Sequence, residues 1–290
     1  MLEIYRYGES VCVPCALVLG GFDGLHLGHR ALLNEAKKTG LPIVITTILG
    51  AKGSALFTER ERAFVFDNTG IDFVYEIPFT EDFKNTEAEK FLVELFGNIN
   101  AKAVFCGEDF RYGKDARGTL SLLKTFAPVC AVETVKLGDT KVSTSLCKQY
   151  LRENNFKMLW ELLDEESGPF YDYKSYFIQG TVERGRQVGR TYGFPTLNLS
   201  IPPEKLLPGD GVYAGFASTP KGTFKTIINI GARPTFGVEE RKIEAYLKGF
   251  SGDLYDKTVR IYPTEFLRPI QKFSTEEELK NQLKKDVERI

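Results

Sequence analysis

Apolar runs and amphipathic segments alternate through the first half of the chain. Short apolar or β-branched runs predict strands at residues 16–22, 41–49 and 101–107. Amphipathic spacing predicts helices at residues 29–40, which end on a glycine, and at residues 86–99. This rhythm of strands and helices predicts an α/β domain with a parallel sheet and helices on its faces.

The pattern changes in the second half of the chain. Residues 147–166 have helical spacing, and short strands separated by Gly, Pro and Asp turns follow them. Many short strands with close turns predict an antiparallel barrel or sandwich. We therefore expect a first domain over residues 1–158, a linker over 159–172 and a second domain over 173–290.

The chain ends in a segment with helical spacing. Ser274 and Glu277 suit a capping box at its start. Four apolar residues are predicted to share one face of this helix: Leu279, Leu283, Val287 and Ile290.

Composition limits the function classes. The chain has 290 residues and a net charge of −1, which gives no general attraction to nucleic acid or anionic membranes. Its first residues include acids and lack a signal-peptide pattern, and no apolar run approaches the roughly 20 residues that span a bilayer. We expect a cytoplasmic protein with small-molecule partners and without nucleic-acid or membrane partners; the sequence does not indicate the oligomeric state.

The five cysteines do not suggest a disulfide framework, because their number is odd and their spacing irregular. Cys12 and Cys15 form a C-x-x-C pair. A zinc site would need a second ligand pair, and a redox motif would need a helix directly after the pair. Since a strand is predicted there, a functional role for this pair is disfavoured.

The segment GGFDGLHLGH (20–29) follows a predicted strand and opens a helix. Its glycines allow a tight turn, and Gly28 allows a ligand to approach the backbone. A helix start after such a turn is an anion site, because free N–H groups and the helix dipole both face the ligand. The chain's two histidines, His26 and His29, share one face of this turn. Alternatively, the two histidines are ordinary buried core residues. A metal site built on this pair would need a third ligand.

Two further segments carry candidate ligand groups. CGEDFRYGKDARG (106–118) follows a predicted strand, and its residues suit either a ligand loop or an ordinary polar turn. In GTVERGRQVGRTYGFPTLNL (180–199), Gly185, Gly189 and Arg190 suit a phosphate cradle. Thr196 and Asn198 alternate on one side of an extended segment and offer oxygens to Mg²⁺ held with ATP.

Glu244 lies in a predicted strand, on the same face as Lys242 and Tyr246. By itself this pattern is typical of a solvent-facing carboxylate.

From GGFDGLHLGH to FLRPIQKFSTEEEL, the order and spacing of these motifs resemble the bacterial bifunctional riboflavin kinase/FAD synthetase family. The resemblance implies an N-terminal Rossmann-like nucleotidyltransferase domain with a parallel sheet, which converts FMN to FAD. It also implies a C-terminal antiparallel β-barrel with a terminal helix, which phosphorylates riboflavin to FMN. ATP with Mg²⁺ is the implied co-substrate of both reactions.

The resemblance also implies roles for individual residues. In the kinase, Thr196 and Asn198 would hold Mg-ATP, and Glu244 would accept the proton of the riboflavin hydroxyl. Nucleotide binding in the kinase would further involve Gly185, Gly189 and Arg190. The implied nucleotide-binding residues of the adenylyltransferase are Gly21, Phe22, Asp23, His26, Gly28, His29, Asp109, Arg111, Ser143, Thr144 and Lys148.

Three segments depart from the family pattern. TTILGAKGS (46–54) replaces a Phe-x-Pro-His-Pro motif, and ESGPFY replaces a Gly-Arg-Pro. In STSLCK (143–148), Leu146 and Lys148 stand where the family has arginines; lysine lacks the planar fork of arginine. A riboflavin kinase with a weak or inactive adenylyltransferase half is therefore the alternative enzyme. The alternative without enzymatic activity is a flavin-binding regulator. A nucleic-acid-binding barrel is disfavoured by the net charge of −1.

Overall fold

The computed structural model describes residues 2–50, 53–163, 175–184, 194–235 and 238–290. The chain divides into two compact units, Met1–Cys147 and Lys148–Ile290. The division falls earlier than the domain end expected at residue 158, which stays a prediction.

The first unit contains a six-stranded parallel sheet. Its strands are β1 (Glu3–Arg6), β2 (Val11–Val18), β3 (Ile43–Leu49), β4 (Phe73–Pro78), β5 (Ile99–Gly107) and β6 (Val129–Val132). The helices connecting them are α1 (Leu27–Lys37), α2 (Glu59–Asp67), α3 (Glu81–Lys84), α4 (Ala88–Asn98) and α5 (Leu120–Leu123), with a short 3-10 turn at Lys114–Ala116. A small hairpin follows, β7 (Lys136–Leu137) and β8 (Thr140–Lys141), and leads into α6 (Thr144–Arg152). The predicted α/β class and parallel sheet are confirmed.

The strand order β1-β4-β3-β2-β5-β6 reverses direction beside β2. From β2 the chain builds outwards through β3 and β4, and it then returns to place β5 on the other side of β2. In open parallel sheets a crevice forms at such a reversal, outside the carboxyl ends of the strands. The segment that contains both histidines leaves the carboxyl end of β2.

The second unit is built around a closed antiparallel barrel in the order β10-β13-β12-β11-β14-β9. Its strands are β9 (Ile178–Glu183), β10 (Thr196–Ser200), β11 (Gly211–Thr219), β12 (Gly222–Thr235), β13 (Val238–Leu247) and β14 (Thr258–Arg268). The barrel and its terminal helix, α8 (Glu276–Glu288), confirm the second predicted fold class.

The helical pattern predicted over residues 147–166 is broken into two helices. After α6, a second helix α7 covers Phe156–Leu163, and residues 164–166 lie outside the described residues. Asn154 separates the two helices with a left-handed φ of 57°. Its side-chain oxygen accepts hydrogen bonds from the Gly209 amide and the Tyr213 hydroxyl, both at 3.0 Å. The break is therefore fixed by contacts distant in sequence, which spacing alone does not reveal.

The predicted cap of the terminal helix is wrong by one residue. Thr275, and not Ser274, is the N-cap, and its hydroxyl accepts from the Glu278 amide at 3.2 Å. The helix is anchored by a buried ion pair between Asp286 and Arg268, at 2.7 Å. The predicted apolar face is half-buried.

The C-x-x-C pair lies in strand β2. Cys15 is buried, and burial raises the pKa of its thiol to about 11. An activated thiol would show the opposite shift. No helix within the described ranges is both long and apolar enough to cross a membrane.

Candidate active sites

A cleft of about 270 Å³ lies beside the carboxyl ends of β2 and β5. It collects side chains from the turn after β2, the loop after β5, the β7–β8 hairpin and the start of α6. The predicted site residues that line it are His26, Gly28, His29, Asp109, Ser143 and Thr144.

Two helices begin at this cleft. The His26 side chain caps α1, because its Nδ1 accepts from the backbone N–H of His29 at 3.3 Å. Ser143 stands in the same relation to α6, since its Oγ accepts from the Leu146 amide at 3.2 Å. The remaining N–H groups of both first turns, and the positive ends of both helix dipoles, suit a polyphosphate.

The hydrogen bonds of the two histidines define their neutral tautomers. Because His26 Nδ1 accepts a hydrogen bond, the proton of His26 is assigned to Nε2. His29 Nδ1 lies 2.7 Å from the Gly24 carbonyl oxygen and carries the donated proton, which leaves its Nε2 as an acceptor. The two rings stack at 3.8 Å. In its neutral form the pair therefore presents one donor and one acceptor.

Burial keeps both imidazoles neutral. It lowers the pKa of His29 to about 4. Burial, together with the neighbouring His29 and Lys141, lowers the pKa of His26 to about 2. Protonation of either imidazole in this desolvated position becomes favourable only when an anion enters the cleft.

Other members of the histidine turn support the site from behind. Phe22 is fully buried with a left-handed φ of 41°, and its ring stacks on His29 at 4.3 Å. The Asp23 carboxylate accepts from the amides of Leu56 and Phe57 at 3.0 and 3.2 Å. Gly21, Phe22 and Asp23 do not line the cleft. These positions suit residues that hold the turn in shape.

Gly28 makes room for a side chain of its own turn. A Cβ at this position would lie 3.1 Å from Cε1 of His26. Gly28 also lines the cleft, so both the imidazole and a ligand use the space that it leaves.

Lys141 is a site residue that the sequence reasoning missed. It lines the cleft, forms an ion pair with Asp109 and lowers the pKa of His26. The hydrogen bond from Lys141 also lowers the pKa of Asp109. By contrast, Arg111 donates to the Phe110 carbonyl, and neither Arg111 nor Lys148 lines the cleft. The Asp109–Lys141 pair spans 32 residues of sequence, so spacing gave no signal for it.

The second site lies on the barrel. In β10, Thr196 and Asn198 share one face, and Asn198 pairs in register with Glu244 of β13. The residues flanking Glu244, Ile243 and Ala245, are buried, whereas Glu244 itself is half-buried. The predicted strand positions of these residues are confirmed, and their polar side chains occupy the face opposite the barrel core.

A cavity of about 630 Å³ adjoins this face at one end of the barrel. Thr196 lines it, as do Pro195, Leu247 and residues 250–255. Phe194 packs edge-on against Tyr246, with ring centroids 5.5 Å apart, and forms an aromatic wall beside Thr196. Asn198 and Glu244 do not line the cavity itself. The predicted phosphate cradle, Gly185, Gly189 and Arg190, lies outside the described residues.

The segment GDLYD (252–256) borders the cavity. Arg184 lies over the ring of Tyr255, 5.3 Å from its centroid. The Asp256 amide donates to the Val182 carbonyl at 3.0 Å, which ties the end of the segment to β9. Gly252 has a φ of +139°, a conformation that favours glycine at the other end.

The donor set on this face suits a hard cation. Within the described residues, no group of three His, Cys, Asp or Glu side chains could hold a metal ion. The hydroxyl of Thr196 and the amide oxygen of Asn198 are neutral oxygen donors of the kind that Mg²⁺ accepts alongside phosphate oxygens. These residues therefore fit a magnesium ion that arrives with a nucleotide.

Comparisons with known proteins match both units. A family model described as riboflavin kinase matches residues 173–290, and one described as FAD synthetase matches residues 9–146. The bifunctional riboflavin kinase/FMN adenylyltransferase of Escherichia coli strain K12 is 30% identical over 306 residues, covering 98% of this chain and 94% of that protein. The protein of the same description from Bacillus subtilis strain 168 is 28% identical over 291 residues, covering 93% and 89%.

A solved structure matches almost the whole chain. It is described as a macrolide-efflux protein from Streptococcus pneumoniae and matches with a TM-score of 0.85 at 27% identity. The match covers 98% of this chain and 97% of that one.

Proposed function

We propose how this chain, which belongs to the family of bifunctional riboflavin kinase/FMN adenylyltransferases, carries out its two reactions. The enzyme phosphorylates riboflavin to FMN and adenylylates FMN to FAD, each with ATP. We assign FMN formation to the barrel of the second unit and FAD formation to the cleft of the first. Because both reactions consume ATP, we place the enzyme in the cytoplasm.

In the cleft, a phosphate oxygen of FMN attacks the α-phosphorus of ATP, and the bond to pyrophosphate breaks. The attacking oxygen is already an anion, so the step requires no general base. It requires stabilisation of the charge on the triphosphate and on the departing pyrophosphate. The two helix starts, the Nε2–H of His26 and the ammonium group of Lys141 supply it.

In the barrel, the 5′-hydroxyl oxygen of riboflavin attacks the γ-phosphorus of ATP, and ADP leaves. A neutral hydroxyl is a poor nucleophile, so a carboxylate that accepts its proton accelerates the step. We assign this role to Glu244. The ion that arrives with ATP would be held by Thr196 and Asn198, and it would offset the charge of the phosphates.

The observation that carries the kinase assignment is the strand register. It places Asn198 of the proposed metal pair directly beside the proposed base, Glu244. Residues paired in this way have Cβ atoms about 5 Å apart on one face of the sheet. The nucleotide and the acceptor hydroxyl can therefore meet between them.

Chromatography of a reaction containing riboflavin, ATP and Mg²⁺ tests the function. We expect FMN to appear first and FAD to follow. The alternative enzyme, a kinase with a weak or inactive adenylyltransferase half, is favoured by Leu146 and by the segment that replaces the Phe-x-Pro-His-Pro motif. Supplying FMN directly and measuring the rate of pyrophosphate release separates the two, because release as fast as FMN formation from riboflavin excludes a weak or inactive half.

A further inference from the structure

Asn229 of β12 lies beside Glu244 on the side opposite Asn198. The register pairs Asn229 with Glu244, just as it pairs Asn198 with Glu244 across the other edge of β13. Glu244 is thus flanked by two asparagines in one row across three neighbouring strands. Asn198, which is proposed to bind the metal ion, lies on one side of Glu244, and Asn229, which has no assigned role, lies on the other.

The side chain of Asn229 faces the same way as Glu244. Its neighbours in β12, Ile228 and Ile230, are both fully buried in the barrel core. Because successive side chains of a strand point to opposite faces, Asn229 points away from that core. Paired residues have Cβ atoms about 5 Å apart, so the amide lies within reach of any group that contacts the Glu244 carboxylate.

Packing does not explain an asparagine at this position. It interrupts the isoleucine-rich run IINI, and asparagine is disfavoured in strands. Asn229 is half-buried, and its side chain makes no hydrogen bond with the parts of the chain that the structure describes. Its amide atoms are therefore open to solvent and not buried without a partner, so they can hydrogen-bond a ligand that occupies this face of the barrel.

We propose that Asn229 is a substrate-binding residue of the kinase site, whose amide hydrogen-bonds a secondary hydroxyl of the riboflavin side chain. This inference rests on the assignment of Glu244 as the base. When Glu244 contacts the terminal hydroxyl, the neighbouring hydroxyls of the same chain extend along the polar row. An amide both donates and accepts hydrogen bonds, which matches the hydroxyls of a polyol. In this arrangement the phosphates of ATP lie on the Asn198 side of Glu244.

The test compares riboflavin with a flavin that carries a 5-hydroxypentyl side chain. This analogue keeps the terminal hydroxyl that is phosphorylated and lacks the secondary hydroxyls. For Asn229→Ala we expect the KM for riboflavin to rise about tenfold, the loss typical of one hydrogen bond, with the KM for ATP unchanged. The KM for the analogue should not change, so the preference for riboflavin falls about tenfold.

Two further variants serve as controls for this test. Asn229→Val suits a strand, and it carries the same test if the alanine variant fails to fold. Ser218→Ala, at a half-buried position of β11, is the matched control and should keep the wild-type preference. An unchanged KM for riboflavin, or an equal loss with both flavins, would overturn the role of Asn229. Failure of the wild-type enzyme to phosphorylate riboflavin would instead overturn the proposed kinase function.

Discussion

The imidazole rings of His26 and His29 stack with centroids 3.8 Å apart and planes inclined by 16°. One ring caps helix α1, and the other donates to the Gly24 carbonyl. Each histidine is therefore fixed by the backbone of the same turn. Together they form a rigid neutral pair at the floor of the cleft, ready for an anion.

We predict that neither histidine titrates between pH 8 and pH 5 in the free enzyme. Burial lowers both pKa values, to about 4 for His29 and about 2 for His26. Both rings therefore stay neutral until the pH falls well below the usual histidine value near 6.5. The chain has only two histidines, so the Cε1–H resonances in an NMR titration report on this pair alone. A midpoint between pH 6 and 7 for either ring would contradict the buried, neutral pair.

These depressed pKa values also predict a direction for stability. Between about pH 6.5 and pH 4, the unfolded chain binds a proton at position 29 that the folded chain does not, so folding stability falls as the pH is lowered. For one proton the slope is at most about 1.4 kcal/mol per pH unit. A His29→Asn variant should show a flatter dependence in urea unfolding over this window. An identical pH dependence in the two proteins would count against the assignment.

Lys141→Met should slow FAD formation and spare FMN formation. We expect kcat/KM for FMN adenylylation to fall about tenfold to a hundredfold, the loss typical of a hydrogen bond to a charged group. Lys141→Arg should restore most of it. The Asp109–Lys141 pair is exposed, so its loss should change stability by less than about 1 kcal/mol.

The control for Lys141 is Lys114→Ala. This lysine belongs to the same unit and pairs with Glu87 at 3.8 Å, but it does not line the cleft. A Lys141→Met enzyme with wild-type FAD formation would remove Lys141 from the proposed site.

Asp286→Ala should destabilise the barrel unit. Asp286 is 3% exposed and pairs with Arg268, so its removal leaves a largely buried guanidinium without its carboxylate, at a cost of about 3 kcal/mol. Glu265→Ala removes an exposed pair with Arg289 and should cost less than about 1 kcal/mol. The only tryptophan, Trp160, lies in the same unit, so its fluorescence in urea follows this unfolding. Equal losses in the two variants would refute the contrast.

The sequence predicted the type of most elements because the periodicity of buried positions is local. It predicted the start of α1 two residues late, since the helix is capped by a histidine, which the usual cap residues do not include. It also missed the break at Asn154, because the partners of that side chain, Gly209 and Tyr213, lie more than 50 residues away.

The site was predictable where it consists of one continuous segment. His26, Gly28 and His29 were found in this way, and the cleft confirms their proximity. Lys141 and Asn229 were not found, because each becomes a candidate only through a partner in a distant segment. Lys141 forms an ion pair with Asp109, and Asn229 pairs in the strand register with Glu244. Strand register and loop contacts supply this information, and spacing along the chain does not.

The division of the two reactions between the two units is tested most directly with Glu244→Gln and His29→Ala in parallel. Each variant is given riboflavin with ATP and, separately, FMN with ATP, and the flavins are separated by chromatography. We predict that Glu244→Gln loses most FMN formation while it still converts supplied FMN to FAD. His29→Ala removes the ring on which His26 stacks, so it should lose most FAD formation while it forms FMN at the wild-type rate. Near wild-type FMN formation by Glu244→Gln, or equal loss of both products in His29→Ala, would contradict the account.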